Sequence, residues 1–213
     1  MNAPGILSTL TGLALMTALC STALAGKPKL ISDFSEETGG LEWFIVNDDV
    51  MGGRSSGEFR LNDGVLTFSG ATNTRGGGFS SVQTRGPQPD LAEFSGIRLR
   101  VRGDGRQYAW QIRTNVTYRG RELGFWSEFA TTAGQWLEID LAFADFVPKF
   151  RGKELDAAPP DPAHIGGLGL MIADGKDGPF AIELDSVQAY RESSSGLFEN
   201  QLGDGSDSQT PVK

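Results

Sequence analysis

The sequence predicts an all-β fold, and more closely an antiparallel jelly-roll β-sandwich. Apolar and polar residues alternate along many short segments, which is the period of a strand with one buried face. Glycine accounts for 29 of the 213 residues, and this content favours many tight turns. No segment repeats its apolar residues with the period of a long helix, so a parallel sheet joined by helical crossovers is excluded.

About ten strands are predicted, each bounded by glycine, asparagine or aspartate turns. Residues 98–102 alternate strictly, with three arginines outside and two apolar residues inside. Residues 106–115 alternate in the same way, with Trp110 inside and Gln111 and Arg113 outside. In chain order the predicted strands are 41–46, 57–61, 65–69, 78–84, 98–102, 106–115, 123–129, 136–143, 166–173 and 180–190.

Residues 1–25 are predicted to be a signal peptide. They contain no Asp, Glu, Lys or Arg, and the apolar run 6–19 has the length of a signal-peptide core but not of a membrane span. Cleavage after Ala25 follows from the small residues at the end of this segment. We therefore expect an exported protein, periplasmic or secreted. Lipid attachment at Cys20 is the less favoured alternative.

The rest of the chain is predicted to form one jelly-roll domain over residues 26–191, followed by a disordered tail over 192–213. The tail is rich in Ser, Gly, Asp and Gln and has little to bury. Removal of 25 of the 213 residues would leave 188 without a cysteine. The domain would then depend on its apolar core, because it could form no disulfide.

Charge is unevenly distributed along the chain. The net charge is −8, yet residues 54–121 contain eleven Arg, no Lys and five acidic residues. An acidic chain is a poor nucleic-acid binder, so we interpret the arginines as the solvent side of strands and predict no nucleic-acid partner. We also predict no membrane-spanning segment.

Four motifs resemble those of a known family. They are residues 43–57 (WFIVNDDVMGGRSSG), 76–82 (GGGFSSV), 96–105 (GIRLRVRGDG) and 146–152 (FVPKFRG). In this order they are similar to the complex I intermediate-associated protein 30 family, over roughly residues 31–191. The resemblance implies a galactose-binding-like jelly roll. It also implies a chaperone-like role in the assembly of respiratory complex I.

The first motif contains a candidate oxygen-ligand cluster, made of Asn47, Asp48 and Asp49 before Met51, Gly52 and Gly53. Such oxygens suit Ca²⁺, and Asp33, Glu36 or Asp185 would have to complete the set. The favoured interpretation is a turn in which Asn and Asp bond to the nearby backbone and the glycines supply positive φ. We predict no metal and no cofactor.

No catalytic constellation stands out. His164 is the single histidine, and we interpret it as a loop residue and not as part of a hydrolase triad. A glycosidase pair among Glu122, Glu128, Glu138 and Asp140 has no support beyond composition. The sequence therefore predicts a protein that is not an enzyme.

One sheet face is a candidate ligand-binding surface. If residues 106–115 pair with 123–132, then Gln111, Arg113, Trp126 and Glu128 project to the same side, with Arg100 and Arg102 bordering them. An exposed Trp with amide and charged groups suits a sugar ring or a peptide. The alternative is an Arg113–Glu128 cross-strand pair, with Trp126 half covered by the loop after Pro148.

These observations predict a non-catalytic binding module. By the resemblance, its partners are partly assembled or unfolded protein clients. The competing hypothesis is an exported carbohydrate-binding module that binds a glycan on the exposed sheet face. The sequence makes no prediction of the oligomeric state.

Overall fold

The computed structural model describes residues 26–35, 41–150 and 152–192. Ala25–Ser193 form one compact unit. The predicted signal peptide and residues 193–213 of the predicted tail lie outside the described residues. In the described part the regular structure consists of strands and three short 3₁₀ helices, and no helix there is long and apolar enough to cross a membrane.

Thirteen strands are formed by the described residues. They are β1 (Lys29–Ser32), β2 (Glu42–Asn47), β3 (Ser56–Asn62), β4 (Val65–Thr72), β5 (Ser80–Arg85), β6 (Gly96–Arg102), β7 (Gln107–Tyr118), β8 (Arg121–Ala130), β9 (Trp136–Ala142), β10 (Val147–Phe150), β11 (Lys153–Glu154), β12 (Ile165–Ile172) and β13 (Gly178–Tyr190). The 3₁₀ helices are Asp48–Met51, Phe143–Asp145 and Pro162–His164.

The strands form two antiparallel sheets. One has six strands in the order β3-β4-β13-β6-β9, with β1 also paired to β13. The other has seven strands in the order β11-β10-β8-β7-β12-β5-β2. Neighbours in space are often distant in sequence, as β7 between β8 and β12 shows. The prediction of an antiparallel jelly-roll sandwich is confirmed.

The ten predicted strands all exist, and the additional ones are short. β1 was not predicted, and the segment after Pro148, expected as a loop, contributes to β10, which pairs with β8, and to β11, which pairs with β10. The strand 106–115 extends to Tyr118, where a two-residue turn at Arg119 and Gly120 with positive φ (52° and 73°) begins the return. Such turns match the twist of a hairpin.

The core lies between the two sheets and consists of the inward residues of each alternating strand. From the seven-stranded sheet come Tyr108, Trp110 and Ile112, all at most 1% exposed. From the six-stranded sheet come Leu99 and Val101, both fully buried. The alternation that predicted the strands therefore also identifies the core.

Arg106, just before β7, joins the two sheets at one end of the sandwich. Its guanidinium bonds to both carboxylate oxygens of Asp174, at 3.0 and 2.5 Å. It also donates to the carbonyls of Gly178 and Pro179 on β13 and to the Thr72 hydroxyl on β4. The side chains of Arg106 and Asp174 are only 12% and 2% exposed. This buried cluster fixes the start of β7, the strand that carries the candidate site.

Candidate functional site

Gln111 and Trp126 lie together on the outer face of the seven-stranded sheet. They are direct cross-strand partners on β7 and β8. Gly124, two residues before Trp126, provides the space for both side chains. A Cβ on Gly124 would lie 2.9 Å from Gln111 Nε2 and 3.0 Å from Trp126 Nε1. The missing side chain therefore lets the amide and the indole lie against the sheet.

Two buried atoms of this pair, Gln111 Oε1 and Trp126 Nε1, have no hydrogen-bond partner among the described residues. Gln111 is 9% exposed, and an unpaired buried polar atom costs about 1–3 kcal/mol. A half turn of the Gln111 amide would pair them, by presenting its oxygen to the indole N–H.

Arg113 lies beside this pair, with its guanidinium over Gly167 on β12. A Cβ on Gly167 would overlap Nη2, so the glycine is needed for this position. Nη2 donates to the Thr84 carbonyl on β5 at 2.7 Å. Within residues 26–35, 41–150 and 152–192 no carboxylate forms an ion pair with Arg113. Burial lowers the pKa of Arg113, and the charge of Glu122 offsets part of this effect.

The Arg113–Glu128 pair considered from the sequence does not form. The cross-strand partner of Arg113 is a glycine, whereas Glu128 accepts hydrogen bonds from Lys149 Nζ at 2.7 Å and Gln107 Nε2 at 3.0 Å. Lys149 Nζ also lies 5.0 Å from the centre of the Trp126 ring. The segment after Pro148 thus contacts Trp126 as expected, and the ion pair uses Lys149 in place of Arg113.

A cavity of about 600 Å³ opens on this face. Ala109 and Met171, which are cross-strand partners on β7 and β12, line it. Phe79, Trp126 and Glu128 are also among its lining residues. Apolar and aromatic groups with a few polar ones are the usual composition of a ligand site. The cavity therefore makes this face the best candidate for binding.

Arg100 and Arg102 do not border this site, which corrects the prediction. Both lie on β6 in the six-stranded sheet, where they bond to Asp185 at 2.9 Å and to Glu183, respectively. Their guanidinium groups lie 5.0 and 4.9 Å from the centre of the Trp136 ring. Alternation shows which residues of a strand point outward but not which sheet the strand joins.

The predicted ligand-binding residues therefore fall into two groups. Four lie on the outer face of the seven-stranded sheet: Gln111, Arg113, Trp126 and Glu128. Sequence reasoning missed the glycines beneath them and the contribution of Lys149. The motif at residues 146–152 contains Lys149, but only the pairing of β10 with β8 places it there.

Asp48 is the centre of the motif loop that follows β2. It is fully buried. One carboxylate oxygen accepts from the Ser55 amide at 2.8 Å. The other accepts from the Ser55 hydroxyl at 2.6 Å and from the amides of Gly78 and Phe79 at 2.6 and 3.3 Å. Asp48 therefore ties the first motif to the second, and so positions the segment that lines the cavity at Phe79.

The glycines of both motifs are required by this carboxylate. A Cβ on Gly53 or on Gly77 would overlap the carboxylate of Asp48. Gly52 ends the 3₁₀ helix Asp48–Met51 with a φ of 85°, which favours glycine. Its amide donates to the Asp49 carbonyl at 3.0 Å. The loop is thus a tightly packed turn around one buried anion.

Asn47 also has a structural role. Its Oδ1 accepts from the Gly57 amide at 3.1 Å and from the Ser80 hydroxyl at 2.6 Å. It therefore connects the end of β2 with the six-stranded sheet at β3 and with β5. These bonds match the interpretation of the motif as a turn.

The calcium alternative is not supported by the geometry. Burial raises the pKa of Asp48, but hydrogen bonds from Ser55, Gly78 and Phe79 outweigh it and hold that pKa below its ordinary value. Its oxygens are occupied by these donors. Asp185 is bonded to Arg100 within the six-stranded sheet, and Glu36 lies outside the described residues. No group of three or more His, Cys, Asp or Glu in the described ranges could hold a metal ion.

The residues considered for catalysis are dispersed. His164 Nδ1 lies 2.8 Å from Asp161 Oδ2, and both side chains are more than half exposed. Glu128 is on the seven-stranded sheet, whereas Glu138 and Asp140 are on β9 of the six-stranded sheet. Carboxylates on opposite sheets do not form a glycosidase pair, whose members lie about 5–9.5 Å apart. In each pair that shares a strand, one member is held in an ion pair: Asp140 with Arg98 and Glu128 with Lys149.

Comparison with known proteins decides the family. The sequence profile described as complex I intermediate-associated protein 30 matches residues 32–184. The chain belongs to this family. The mitochondrial complex I intermediate-associated protein 30 of Mus musculus is 25% identical over 77% of this chain and 56% of its own length. Its Drosophila melanogaster counterpart is 23% identical over 76% and 53%. The chain spans about half the length of these curated relatives.

Membership in this family corrects the predicted location. Both relatives are mitochondrial by name, which points to the mitochondrion and away from the periplasm or secretion. The expectation of export rested on an apolar leader without arginine at residues 1–25. That segment lies outside the described residues, and its composition alone was an insufficient guide.

Solved structures show the same fold in other proteins. The family 11 carbohydrate-binding module from Clostridium thermocellum, in complex with a mixed-linked tetrasaccharide, has a TM-score of 0.57 and 16% identity over 77% of this chain and 95% of its own. An agarase has a TM-score of 0.56 and 14% identity over 78% and 24%. At these identities the likeness concerns the fold alone.

Proposed function

We propose that this family member is a non-catalytic binding module that assists the assembly of respiratory complex I. It holds segments of partly assembled protein subunits against the outer face of the seven-stranded sheet. One observation carries the proposal: this face has a cavity of about 600 Å³ with Trp126 at its side. The relatives' names supply the process, and the cavity supplies the binding surface.

The composition of the cavity fits polypeptide. Phe79, Trp126 and Met171 offer aromatic and thioether surface for apolar side chains, and methionine adapts its shape to different ligands. The Glu128–Lys149 pair supplies polar contacts beside them. A surface that combines apolar contact with a few fixed polar groups suits the binding of several related segments.

Substitution of Trp126 tests the proposal. In cells lacking the endogenous protein, Trp126→Ala is expected to leave the level of assembled complex I as low as in the deletion, measured on native gels. The matched control is Trp136→Ala, which removes an indole from the other sheet, where it lies under Arg100 and Arg102. Equal complex I levels in the wild type and the Trp126→Ala variant would contradict the proposal.

Carbohydrate binding is a second candidate, favoured by the partly exposed Trp126 at the side of a concave surface. A sugar ring would stack on the indole and exchange hydrogen bonds with Gln107 and Glu128, which also line the cavity. A glycan array with the purified chain tests this function directly. Binding of defined glycans that is lost in Trp126→Ala would support it, and an array without signal would reject it.

A further inference from the structure

Arg113 forms no ion pair with a carboxylate of the described residues, although its side chain is largely buried. Among the described residues, five arginines form no ion pair with a carboxylate. Four of them are exposed and therefore solvated by water: Arg54, Arg75, Arg119 and Arg121. Arg113 is the one that is mostly covered, and a half-buried guanidinium without an anion is costly.

The position of Arg113 is nevertheless well defined. Its guanidinium lies over Gly167 and donates from Nη2 to the Thr84 carbonyl at 2.7 Å. This single neutral acceptor leaves the remaining N–H groups of the fork for another molecule. The guanidinium is thus held in place by the backbone, as a preorganised binding group is.

The neighbouring charges do not satisfy this need. Glu128 is neutralised by Lys149, and Arg85 is paired with Glu42 at 3.7 Å. The charge of Glu122, on the neighbouring strand β8, acts on Arg113, but the two side chains form no ion pair, so the N–H groups of Arg113 keep no carboxylate acceptor among the described residues. A carboxylate of a bound segment would supply that acceptor.

We propose that Arg113 is an anion-recognition residue that binds the carboxylate of an acidic side chain in an extended segment of the protein client. The inference rests on the proposed function, and it names the chemistry of the client. A planar guanidinium accepts a carboxylate through two parallel hydrogen bonds. The same segment places an apolar side chain in the adjoining cavity.

The spacing of the two features follows from β7. Arg113 and Ala109, a cavity residue, are four positions apart on the same face of this strand. A segment running along β7 in extended form would cover the same distance of about 13 Å with about four residues. The client motif is therefore an Asp or Glu about four residues from an aromatic or large aliphatic residue.

A peptide array tests this inference with the full chain. The array carries overlapping peptides of the complex I subunits, each also printed with Asp and Glu replaced by Asn and Gln. Wild type is expected to bind a subset of acidic peptides with the stated spacing and to lose roughly tenfold or more of the affinity for their amide forms. Arg113→Met is expected to lose this preference, whereas Arg98→Met, on the other sheet, retains it.

A second variant separates loss of the group from loss of the fold. Gly167→Ala keeps the arginine but displaces its guanidinium, so the preference for acidic peptides should fall as in Arg113→Met. Gly166→Ala, whose Cβ would have contacts of only 3.6 Å or more, should bind as wild type does. Thermal unfolding of all four variants is measured alongside, and each is expected to show a cooperative transition.

Three results would overturn the inference, and they are distinguishable. Peptide binding without preference for acids, or a preference that Arg113→Met retains, removes the role of Arg113 and leaves the proposed function standing. No peptide binding at all removes the proposed function and, with it, the protein client. Binding of digalacturonate that depends on Arg113, in the absence of peptide binding, would assign the carboxylate to a glycan instead.

Discussion

The outer faces of the two sheets place their arginines in opposite situations. On the six-stranded sheet, Arg98 bonds to Asp140 through both ends of its guanidinium, at 2.6 and 2.7 Å, and the two following outward arginines of β6 are also paired. On the seven-stranded sheet, Arg113 has a carbonyl as partner and no carboxylate among the described residues. Strands with the same outward pattern thus differ: the outward arginines of β6 have carboxylate partners within the sheet, whereas Arg113 of β7 keeps N–H groups available to a carboxylate of a bound partner.

The largest loss of stability is expected from a substitution in the Arg106 cluster, because this cluster joins the two sheets. Arg106→Met would leave Asp174, only 2% exposed in its side chain, as a buried charge without its partner. Loss of one member of a buried pair costs about 3–5 kcal/mol. Arg98→Met is the control, since its exposed pair is worth about 1 kcal/mol or less. Urea unfolding measures both, and equal losses would show that the Arg106 cluster is not a structural joint.

The next largest loss of stability is expected on acidification, which protonates the buried Asp48 carboxylate that positions the cavity-lining segment at Phe79. In the folded protein, hydrogen bonds hold the pKa of Asp48 below its ordinary value, against the opposing effect of burial. Its contribution to stability is therefore complete above the unfolded pKa of about 3.9 and is lost as the pH falls through the lower, folded pKa. The pKa of Asp174 is also lowered, by Arg106 against the opposing effect of burial, and adds in the same direction.

The measurement compares urea unfolding at about pH 7 and about pH 3. Asp48→Asn is expected to cost about 2 kcal/mol at neutral pH, since a charged hydrogen-bond acceptor is lost. The same variant should lose less stability than wild type on acidification. A pH dependence as steep as that of wild type would show that Asp48 does not titrate with folding.

Gly167→Ala is expected to have the smallest effect on stability, although it removes the preference for acidic peptides. Gly167→Ala displaces the Arg113 guanidinium but leaves the core intact, so the free energy of unfolding should fall by about 1 kcal/mol or less. Gly166→Ala should differ from wild type by a similar amount at most, and it should leave Arg113 in place. Chemical denaturation of the two variants checks this; a large loss confined to Gly167→Ala would mean that Gly167 supports the fold itself.

The sequence was sufficient for the fold and for half of the site. Alternation placed Tyr108 and Trp110 inside and Gln111 and Trp126 outside, because a strand has a period of two residues. It did not place Arg100 with its sheet, since the order of strands depends on contacts between segments far apart in the chain. The assignment of residues 43–57 and 76–82 to one family was correct, but only the structure shows that Asp48 joins them.

The ion pairs of the site depend on how β7 and β10 are aligned with β8, which the sequence alone did not predict. A bulge between Arg113 and Thr117 on β7 shifts the register by two residues, so that Arg113 faces Gly124 and Glu128 faces Ala109; the register at the turn, where Tyr118 faces Arg121, would have placed Arg113 against Trp126. A shift of this kind is not visible in composition or alternation, because extra residues in a bulge keep the pattern on either side of it. Lys149 then becomes the partner of Glu128, from a strand that was predicted as a loop.

The absence of a side chain at Gly167, beneath the Arg113 guanidinium, affects how the binding affinity of this protein can change. A single methyl group added there would move the guanidinium that lies over it, although residue 167 need not touch any ligand. Selection or protein engineering could therefore change which partner binds by a substitution at residue 167, without changing any side chain that contacts the ligand. Surveys of sequence variation in this domain should count the glycines that lie beneath outward side chains, such as Gly167, among the determinants of specificity.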